Sequence, residues 1–385
     1  MSGKWPLVPL GEVLQPASRT EVVDALKEYR LLGVRLDAQG PFLRETVTGA
    51  QTSATRLFRV VTGDFIYSRL FACRGAFGVI GPDLNGCYVS GEFPTFTPVS
   101  DRIDVRYLAY WFRLPATLVR VNEDCSGSTP LTRNRFNERF FLRLEIPLPP
   151  LEEQRRIVDH IEQVDAGLHG IAGLSTAVQN ELDACLRAAY HLIVQEATSA
   201  QLGEVAPLCR RPVAIEEGAQ YHQVAVRSFG KGTFHKPPLA ASDVTWQKLF
   251  LVRDGDILLS NIKAWEGAIA VATAQDDRRV GSHRYLTCVA DSALATARFI
   301  CYHLLTPCGL HDIGEASPGS ADRNRTLSVK ALLRIRIPLP SLQEQRWFGA
   351  LYDDVQAAKA IRGEVDADLT SLHGRLIQQA LTESI

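Results

Sequence analysis

The feature that most constrains this chain is a proline-rich segment that occurs twice. Residues 146–156 read IPLPPLEEQRR, and residues 337–347 read IPLPSLQEQRW, 191 positions later. Further matches stand 192 positions apart, such as LGEV at 10–13 and again at 202–205. Matches at a nearly constant offset over about 150 residues indicate a tandem duplication. The chain therefore consists of two lobes that share one fold, each leading through a proline run into a segment of a different kind.

Each lobe has the sequence pattern of an α+β fold. Short β-branched and aromatic runs, broken by Gly, Pro and Asn, are typical of strands. Helices are predicted at 21–27 and at 104–114, the latter capped by Asp104 and stopped by Pro115, and the second lobe repeats this helix at 293–305. The predicted strands are 57–62, 64–68 and 78–80 in the first lobe and a pair of strands within 249–260 in the second.

The segments after the proline runs are predicted to be long helices. Apolar residues recur at alternating spacings of four and three from Ile157 to Leu192, and a looser one-sided pattern runs from Phe348 to Leu376. Such stripes require partner helices. We expect the two helices to pair antiparallel as a coiled coil with a lobe at each end, giving a pseudo-twofold molecule. The predicted domains are a first lobe at 1–147, a central helix at 148–198, a second lobe at 199–337 and a C-terminal helix at 338–385.

The net charge of −1 conceals an uneven distribution. Residues 1–147 carry 18 Lys and Arg against 15 Asp and Glu, and residues 199–337 carry 17 against 13. The two helical segments are acidic, with 3 against 8 at 148–198 and 4 against 7 at 338–385. Mildly basic lobes therefore alternate with acidic helices, a pattern compatible with lobes that bind an acidic partner.

The motifs of common enzyme classes are absent from the sequence. There is no P-loop, no methyltransferase N-P-P-[YF] or D-P-P-[YF], no H-E-x-x-H and no G-x-S-x-G. The nine histidines do not recur at equivalent positions of the repeat. We therefore expect a non-catalytic binding protein that holds no metal and no cofactor of its own.

Cysteine usage and hydropathy predict the compartment. The eight cysteines form no C-x-x-C pair, so reduced thiols are expected. No apolar run reaches the roughly 18 residues of a membrane span, and the first residues lack the apolar core of a signal peptide. These features favour a cytoplasmic protein without a membrane segment.

The chain resembles the specificity subunit of type I restriction–modification systems. In both, a lobe is followed by a proline-rich sequence, here IPLPPLEEQRRI in its first copy, and then by a long helix, and this order occurs twice. The resemblance rests on Glu-Gln-Arg at 153–155 and 344–346 and on the strand GDILLS at 255–260, with its counterpart at 63–68, and it covers essentially the whole chain. It implies two target-recognition domains that each read one half of a bipartite double-stranded DNA target. It also implies helices that fix the gap between the half-sites.

The resemblance further implies partner subunits. Two DNA adenine methyltransferase subunits would dock on the helices, and separate restriction and translocation subunits would join them. S-adenosylmethionine, ATP and Mg²⁺ would then be bound by those partners, and this chain would contribute no catalysis. Candidate partner contacts are Glu153, Gln154, Arg155, Glu344, Gln345 and Arg346. As an alternative, these residues only cap and solvate the start of each helix.

Candidate DNA contacts are taken from two loops that the repeat places at equivalent positions, from equivalent strands, and, for Arg284, from a basic patch that only the second lobe contains. Arg reads guanine or binds phosphate, and Asn reads adenine, so basic and amide side chains are favoured. As alternatives, the same residues belong to solvated hairpins, salt-bridged loops or structural ion pairs. The first-lobe candidates are Arg35, Ser68, Arg69, Arg74, Arg133 and Arg135, and the second-lobe candidates are Arg227, Asn261, Lys263, Trp265, Arg284, Arg323 and Arg325.

Two other functions compete with a type I specificity subunit. One is the same architecture serving a type IIB-like system, whose partner fuses methyltransferase and nuclease. The other is a coiled-coil scaffold with two protein-binding lobes. A scaffold predicts no DNA affinity that falls with salt, whereas phosphate contacts make affinity strongly salt-dependent.

Overall fold

The computed structural model describes residues 5–99, 101–125, 135–244, 248–319 and 325–382. The chain forms two compact units, Met1–Leu174 with Glu364–Ile385 and Ser175–Gly363. Each unit therefore contains one lobe and a part of each long helix. The four predicted domains follow sequence segments instead, and their boundaries stay predictions.

The first lobe contains eleven labelled strands and three short helices before the first long helix. The strands are β1 Leu7–Pro9, β2 Leu14–Pro16, β3 Thr20–Val22, β4 Glu28–Val34, β5 Pro41–Thr48, β6 Arg56–Arg59, β7 Phe65–Tyr67, β8 Phe77–Val79, β9 Tyr88–Val89, β10 Thr95–Pro98 and β11 Glu145–Pro147. The helices are α1 Val105–Trp111, α2 Pro115–Glu123, α3 Glu138–Arg143 and the long α4 Leu151–Val194. The sheets have the orders β3-β6-β9-β4-β5, β2-β10-β7-β8 and β1-β11.

The second lobe repeats this order with fewer strands. Its strands are β12 Thr198–Gln201, β13 Gln220–Val226, β14 Thr233–Ala240, β15 Leu249–Leu251, β16 Ile257–Ser260, β17 Ile269–Val271, β18 Val280–Ser282, β19 Tyr285–Cys288 and β20 Arg336–Leu339. Its helices are α5 Leu202–Val205, α6 Ala297–Leu305, α7 Pro307–Glu315, α8 Val329–Leu332 and the long α9 Leu342–Thr382. The sheets have the orders β14-β13-β18-β15, β17-β16-β19 and β12-β20.

The pairing of the central hairpin follows the repeat. In the first lobe β4 pairs antiparallel with β5 and parallel with β9, where Leu31 lies opposite Tyr88. In the second lobe β13 pairs antiparallel with β14 and parallel with β18, where Gln223 lies opposite Val280. Both parallel positions differ by 192 residues between the lobes. The predicted duplication of one α+β fold is confirmed.

Two predicted local structures are wrong. Residues 21–27 do not form a helix, because Thr20–Val22 is strand β3, which pairs with β6. The two strands within 249–260 exist but do not pair with each other, since β15 pairs with β18 and β16 lies between β17 and β19. In both cases hydrogen bonding to a distant segment overrides the local pattern.

The long helices run antiparallel to each other within each unit. In the first unit Asp165 of α4 contacts His373 of α9. In the second unit Asp183 binds Lys359 at 2.5 Å, and Arg362 donates to Ser175 at 2.5 Å. Within the second unit the contacting position rises from 175 to 183 along α4 while it falls from 362 to 359 along α9. The apolar stripes predicted from the sequence therefore find their partner helix in the same chain.

Candidate nucleic-acid interface

Each lobe contains a buried ion pair at its repeated Gly-Asp sequence. Asp64 is 1% exposed and accepts hydrogen bonds from both terminal guanidinium nitrogens of Arg19 at 2.6 and 3.1 Å. Asp256 is 2% exposed and accepts from Arg211 at the same distances. The glycine before each aspartate has a positive φ, +87° and +81°, which only glycine adopts readily. The Gly-Asp motif therefore ties the N-terminal part of each lobe to the turn before its central strand.

These arginines were missed by the sequence analysis. Arg19 and Arg211 stand 192 positions apart, the offset of the lobes, so the signal was present in the repeat. Each pairs with an aspartate 45 residues away, a separation that no local pattern predicts.

An exposed arginine occupies the same place in the β-hairpin of each lobe. Arg35 follows β4 and lies over the ring of Phe42 at 4.7 Å, and Arg227 follows β13 and lies over Phe234 at 5.0 Å. Arg227 also donates to the carbonyl of Thr233 at 3.2 Å. Neither guanidinium forms an ion pair with a described residue. Stacking restrains each planar group while leaving its charge accessible, which suits phosphate or base contact.

The loop after β7 carries three predicted contacts in different environments. Ser68 is 1% exposed, so its hydroxyl is out of reach of a DNA strand and we remove it from the candidates. Arg69 donates to the carbonyl of Gly91 at 2.6 Å and forms an ion pair with Glu138 of α3. Arg74 is exposed at the end of the loop. Arg69 therefore anchors the loop, and Arg74 is the residue of this group that is free to approach a ligand.

In the corresponding loop of the second lobe, the indole ring of one predicted contact, Trp265, lies against two others, Lys263 from the same loop and Arg325 from a later one. Lys263 lies over the ring of Trp265 at 5.1 Å, and the guanidinium of Arg325 lies over it at 4.8 Å. Lys263 also donates to Glu266 at 2.6 Å, and this hydrogen bond lowers the pKa of the Glu266 carboxyl. Arg325 is further held by the carbonyls of Gly314 and Ser317, at 3.0 and 3.2 Å. The repeat placed these residues in two separate loops, and tertiary packing brings them together.

Asn261 and Arg284, in the second lobe, are joined by a hydrogen bond between their backbones. The amide N–H of Asn261 donates to the Arg284 carbonyl at 2.8 Å. The side-chain Oδ1 of Asn261 is buried without a hydrogen-bond partner among the described residues. The Arg284 side chain is exposed. A polar group left without a partner is costly unless a ligand or water satisfies it, so Asn261 stays a candidate contact.

The remaining basic candidates lie near or beyond the edge of the described structure. Arg135 forms an ion pair with Glu92 at 2.8 Å, and its side chain is 55% exposed. Arg133 and Arg323, predicted as a repeated pair, lie outside the described residues. The alternative of a salt-bridged loop therefore describes Arg135 in this structure.

The two glutamines predicted to bind partner subunits are buried instead. Gln154 and Gln345 are both 0% exposed. The Gln154 amide accepts from the N–H of Asp104 and donates to the carbonyls of Arg102 and Pro149. A side chain whose donors and acceptor are used inside its own unit is not a surface contact. The prediction that these glutamines contact a partner directly is therefore corrected.

The charged neighbours of these glutamines lie on the surface of the helix starts. Glu153 pairs with Arg156 at 2.7 Å one turn later. Glu344 accepts from both the N–H and the hydroxyl of Ser341, and these hydrogen bonds lower the pKa of its carboxyl. This is the helix-capping role given as the alternative. Arg155 and Arg346 are exposed and stay available to a partner.

Comparison with known proteins places this geometry in a family. The family model described as "Type I restriction modification DNA specificity domain" matches residues 41–179. That range includes strand β5 of the first-lobe hairpin, the loop after β7 and the first part of α4. The match covers 139 of the 385 residues and shows that this part of the chain is similar to the type I restriction–modification DNA specificity domain. The predicted resemblance is confirmed.

Solved structures extend the likeness to the whole chain at the level of the fold. The HsdS subunit from Thermoanaerobacter tengcongensis is 20% identical with a TM-score of 0.57, covering 100% of this chain and 98% of that one. A chain from a study of assembly and conformational transition in the type I R-M system is 21% identical with a TM-score of 0.71, covering 99% and 98%. A search of curated protein sequences gave no match.

The predicted fold of two α+β lobes with two long helices is thus confirmed, and so is the predicted role of a DNA specificity subunit. Within the described ranges, no helix has the length and apolarity needed to cross a bilayer. The same ranges hold no cluster of His, Cys, Asp or Glu arranged for a metal ion. All eight cysteines are free thiols.

Proposed function

We propose that this specificity subunit reads a two-part DNA target, with one half-site bound by each lobe. The proposal rests on one observation: the two lobes share the same structural contacts, which we call the frame, but differ in the residues of their loops. The Gly-Asp ion pair and the stacked hairpin arginine are the same in both lobes. The loop after the central strand differs, with Arg74 in one lobe and the Lys263–Trp265–Arg325 group in the other. Two copies of one scaffold with different reading loops suit an asymmetric target.

The proposed contacts divide into two classes. Arg35 and Arg227 are positioned for phosphate, because a stacked guanidinium at an equivalent place in both lobes serves a sequence-independent task. Arg74, Asn261, Lys263 and Arg284 lie in the loops that differ, and we assign them to base edges. Arg69, Trp265 and Arg325 support these loops from within.

The long helices are proposed to dock the methyltransferase subunits. In the first unit Leu174 and Val365 expose 68% and 49% of their surfaces, and in the second unit Val178 and Ile361 expose 39% and 63%. Exposed apolar side chains in the middle of a helix favour a protein partner. Arg155 and Arg346 lie at the helix starts and would add charged contacts at the edge of this surface.

Catalysis is assigned to the partners. S-adenosylmethionine would bind the methyltransferase subunits, and ATP and Mg²⁺ the restriction and translocation subunits, with this chain supplying sequence recognition alone. We place the complex in the cytoplasm, where free thiols such as those of this chain persist in reduced form.

The test is a map of methylated adenines. The chain is expressed with its partner methyltransferase in a host free of adenine methylation, and the modified sites are sequenced. We expect an interrupted two-part motif that disappears when the chain is omitted. Arg74→Ala should relax the bases of one half-site, and Lys263→Ala those of the other. Arg120→Ala, at an exposed arginine outside the candidate set, is the control.

Two results would reject the proposal. One is methylation of a single continuous motif, because a pair of readers requires two half-sites. The other is methylation that persists without this chain, which would make it a scaffold.

A further inference from the structure

Two buried glutamines make the same set of side-chain hydrogen bonds, one within each unit. The side chain of Gln154, in the first turn of α4, accepts from the N–H of Asp104 at 2.9 Å and donates to the carbonyls of Arg102 and Pro149, both at 2.8 Å. One amide group therefore joins the approach to α1, the proline run and the start of the long helix.

The second unit repeats the same three bonds. Gln345, in the first turn of α9, accepts from the N–H of Thr296 at 2.9 Å and donates to the carbonyls of Leu294 and Pro340 at 3.2 and 2.9 Å. The partners occupy equivalent positions of the repeat, although Arg102 has become Leu294 and Asp104 has become Thr296. All three bonds go to backbone atoms, so the partner side chains are able to vary while the glutamine does not.

Only a primary amide satisfies this arrangement. It supplies one acceptor and two donors, whereas glutamate supplies no donor and lysine no acceptor. Both glutamines are 0% exposed, so each bond that is lost leaves a buried polar group without a partner. A fully satisfied buried network of this kind specifies one geometry.

A second contact attaches the same short helix to the long helix in each unit. Arg106 of α1 binds Glu162 of α4 at 3.2 Å, and Arg298 of α6 binds Asp353 of α9 at 3.0 Å. Glu162 lies eight residues after Gln154, and Asp353 lies eight residues after Gln345. In each unit these two polar contacts lie about two helical turns apart on the long helix, and together they restrain the tilt of the lobe on that helix.

Small changes in this tilt matter for DNA reading. A lobe of about 150 residues has a radius of roughly 15 Å, and successive base pairs are about 3.4 Å apart. The far loops lie about one lobe diameter, roughly 30 Å, from the attachment point, so a rotation of roughly 10° there moves them by about 5 Å, which is more than one base-pair step. The attachment of lobe to helix is therefore sensitive enough to determine the distance between half-sites.

We propose that Gln154 and Gln345 are positioning residues that fix the number of base pairs between the two half-sites. They touch neither DNA nor partner, and act by holding each lobe at one angle on its long helix. The proposal rests on the bipartite reading argued above. It replaces the role of partner contact predicted for these residues from the sequence.

The test measures methylation as a function of spacing. The complex of this chain with its methyltransferase is presented with duplexes that carry the wild-type half-sites separated by the natural spacing or by one base pair more or fewer. Wild type should prefer the natural spacing strongly. Gln154→Met and Gln345→Met keep the length of the side chain but lose all three of its hydrogen bonds. Each should reduce that preference about tenfold or more, because even one net buried hydrogen bond is worth about that factor. The bases required in each half-site should not change.

The control is Gln343→Met, because Gln343 lies in the same first turn of α9 with its side chain exposed. It should leave the spacing preference as in wild type. Gln154→Glu and Gln345→Glu place a carboxylate oxygen against the same two backbone carbonyls in a buried site, so each should lose the spacing preference at least as completely as the Met variant. Co-purification of the methyltransferase reports whether each variant still assembles.

The remaining outcomes each reject a specific claim. If wild type methylates no two-part target, the proposed function fails. If wild type does so but the variants keep its spacing preference, the positioning role alone fails. Weaker assembly with unchanged spacing would restore the partner-contact interpretation. If none of the four variants yields a soluble complex, the glutamines serve folding, and the positioning role is rejected.

Discussion

The two lobes share one topology but fill it with different chemistry. Ten buried aromatic side chains lie in the main core cluster of the first lobe, and seven of them have an aliphatic residue or cysteine at the equivalent position of the second-lobe core. The first-lobe residues are Phe65, Tyr67, Phe77, Phe96, Phe112, Phe136 and Phe141. Their counterparts are Ile257, Leu259, Ile269, Cys288, Leu304, Leu327 and Leu332. Phe141 alone lies within 6.5 Å of five other rings in its cluster.

The residues that the long helices contribute to the two cores differ in the opposite direction, with aliphatic side chains in the first unit and aromatic side chains in the second. In the first unit α4 contributes Ile157 and Ile161, while in the second unit α9 contributes Phe348 and Tyr352 at the same positions of the repeat. The bonds that define the frame do not change, since both Gly-Asp ion pairs and both glutamine networks are kept. Apolar packing therefore tolerates exchange when volume is shared among neighbours, whereas a directed polar contact does not.

The largest expected effect is the removal of a core ring. Phe141→Ala should destabilise the first lobe by about 3–5 kcal/mol, and Leu332→Ala, at the equivalent position, should destabilise the second by about 2–5 kcal/mol. Hydrogen exchange of peptides covering β7 and β16 reports each lobe separately. Loss of protection in both lobes from a single substitution would contradict two separate cores.

The next largest loss of stability is expected when the ion pair between arginine and the aspartate of the Gly-Asp sequence is removed. Because both lobes contain this ion pair, the loss should be equal in the two lobes. Arg19→Met and Arg211→Met each leave a buried carboxylate without its cation, and each should destabilise its own lobe by roughly 3 kcal/mol. Urea unfolding monitored by the same exchange peptides measures both. A large effect in one lobe with none in the other would show that the shared frame is not equally used.

A pH effect should distinguish the lobes, because His303 in α6 stands where the first lobe has Trp111. Burial lowers the pKa of His303 below its ordinary 6.5; its Nδ1 lies 2.6 Å from the hydroxyl of Tyr190, and the charge of Asp312 opposes the shift. The folded state therefore resists a proton that the unfolded chain accepts. Stability from this group is complete above pH 6.5 and is lost as the pH falls below it.

The measurement is the protection of second-lobe peptides at pH 7.5 and 5.5. His303→Phe should remove part of the acid sensitivity of the second lobe and leave the first lobe unchanged. Equal acid sensitivity in the variant and in wild type would exclude His303 as the source.

The smallest stability effect is expected at the hairpin arginines. Arg35→Ala and Arg227→Ala remove exposed side chains, so unfolding should change by about 0.5 kcal/mol or less. Each should nevertheless reduce the salt dependence of DNA binding by about one phosphate contact. Binding of the assembled complex to duplex DNA between low and moderate salt tests this. A change in base preference without a change in salt slope would reassign the residue from phosphate to base contact.

Part of the interface could be predicted because the repeat marks it. Arg35 and Arg227 were found from equivalent positions, and the structure gives them equivalent stacking partners. The repeat also identified Ser68 and the two glutamines, but it gave no sign that their side chains are buried. A polar residue repeated in both copies is needed by the frame or by the ligand, and the sequence does not distinguish these two needs.

The sequence by itself determined the duplication, the α+β class of the lobes, the long helices and their antiparallel pairing, because repeat offset and apolar periodicity are local properties of the chain. Only the tertiary structure decided which polar side chains are structural. Gln154 bonds to backbone atoms 50 and 52 residues away, and Arg19 to a carboxylate 45 residues away. Residues 21–27 became a strand and turn for the same reason, since a pairing strand more than 30 residues later outweighs a local helical preference.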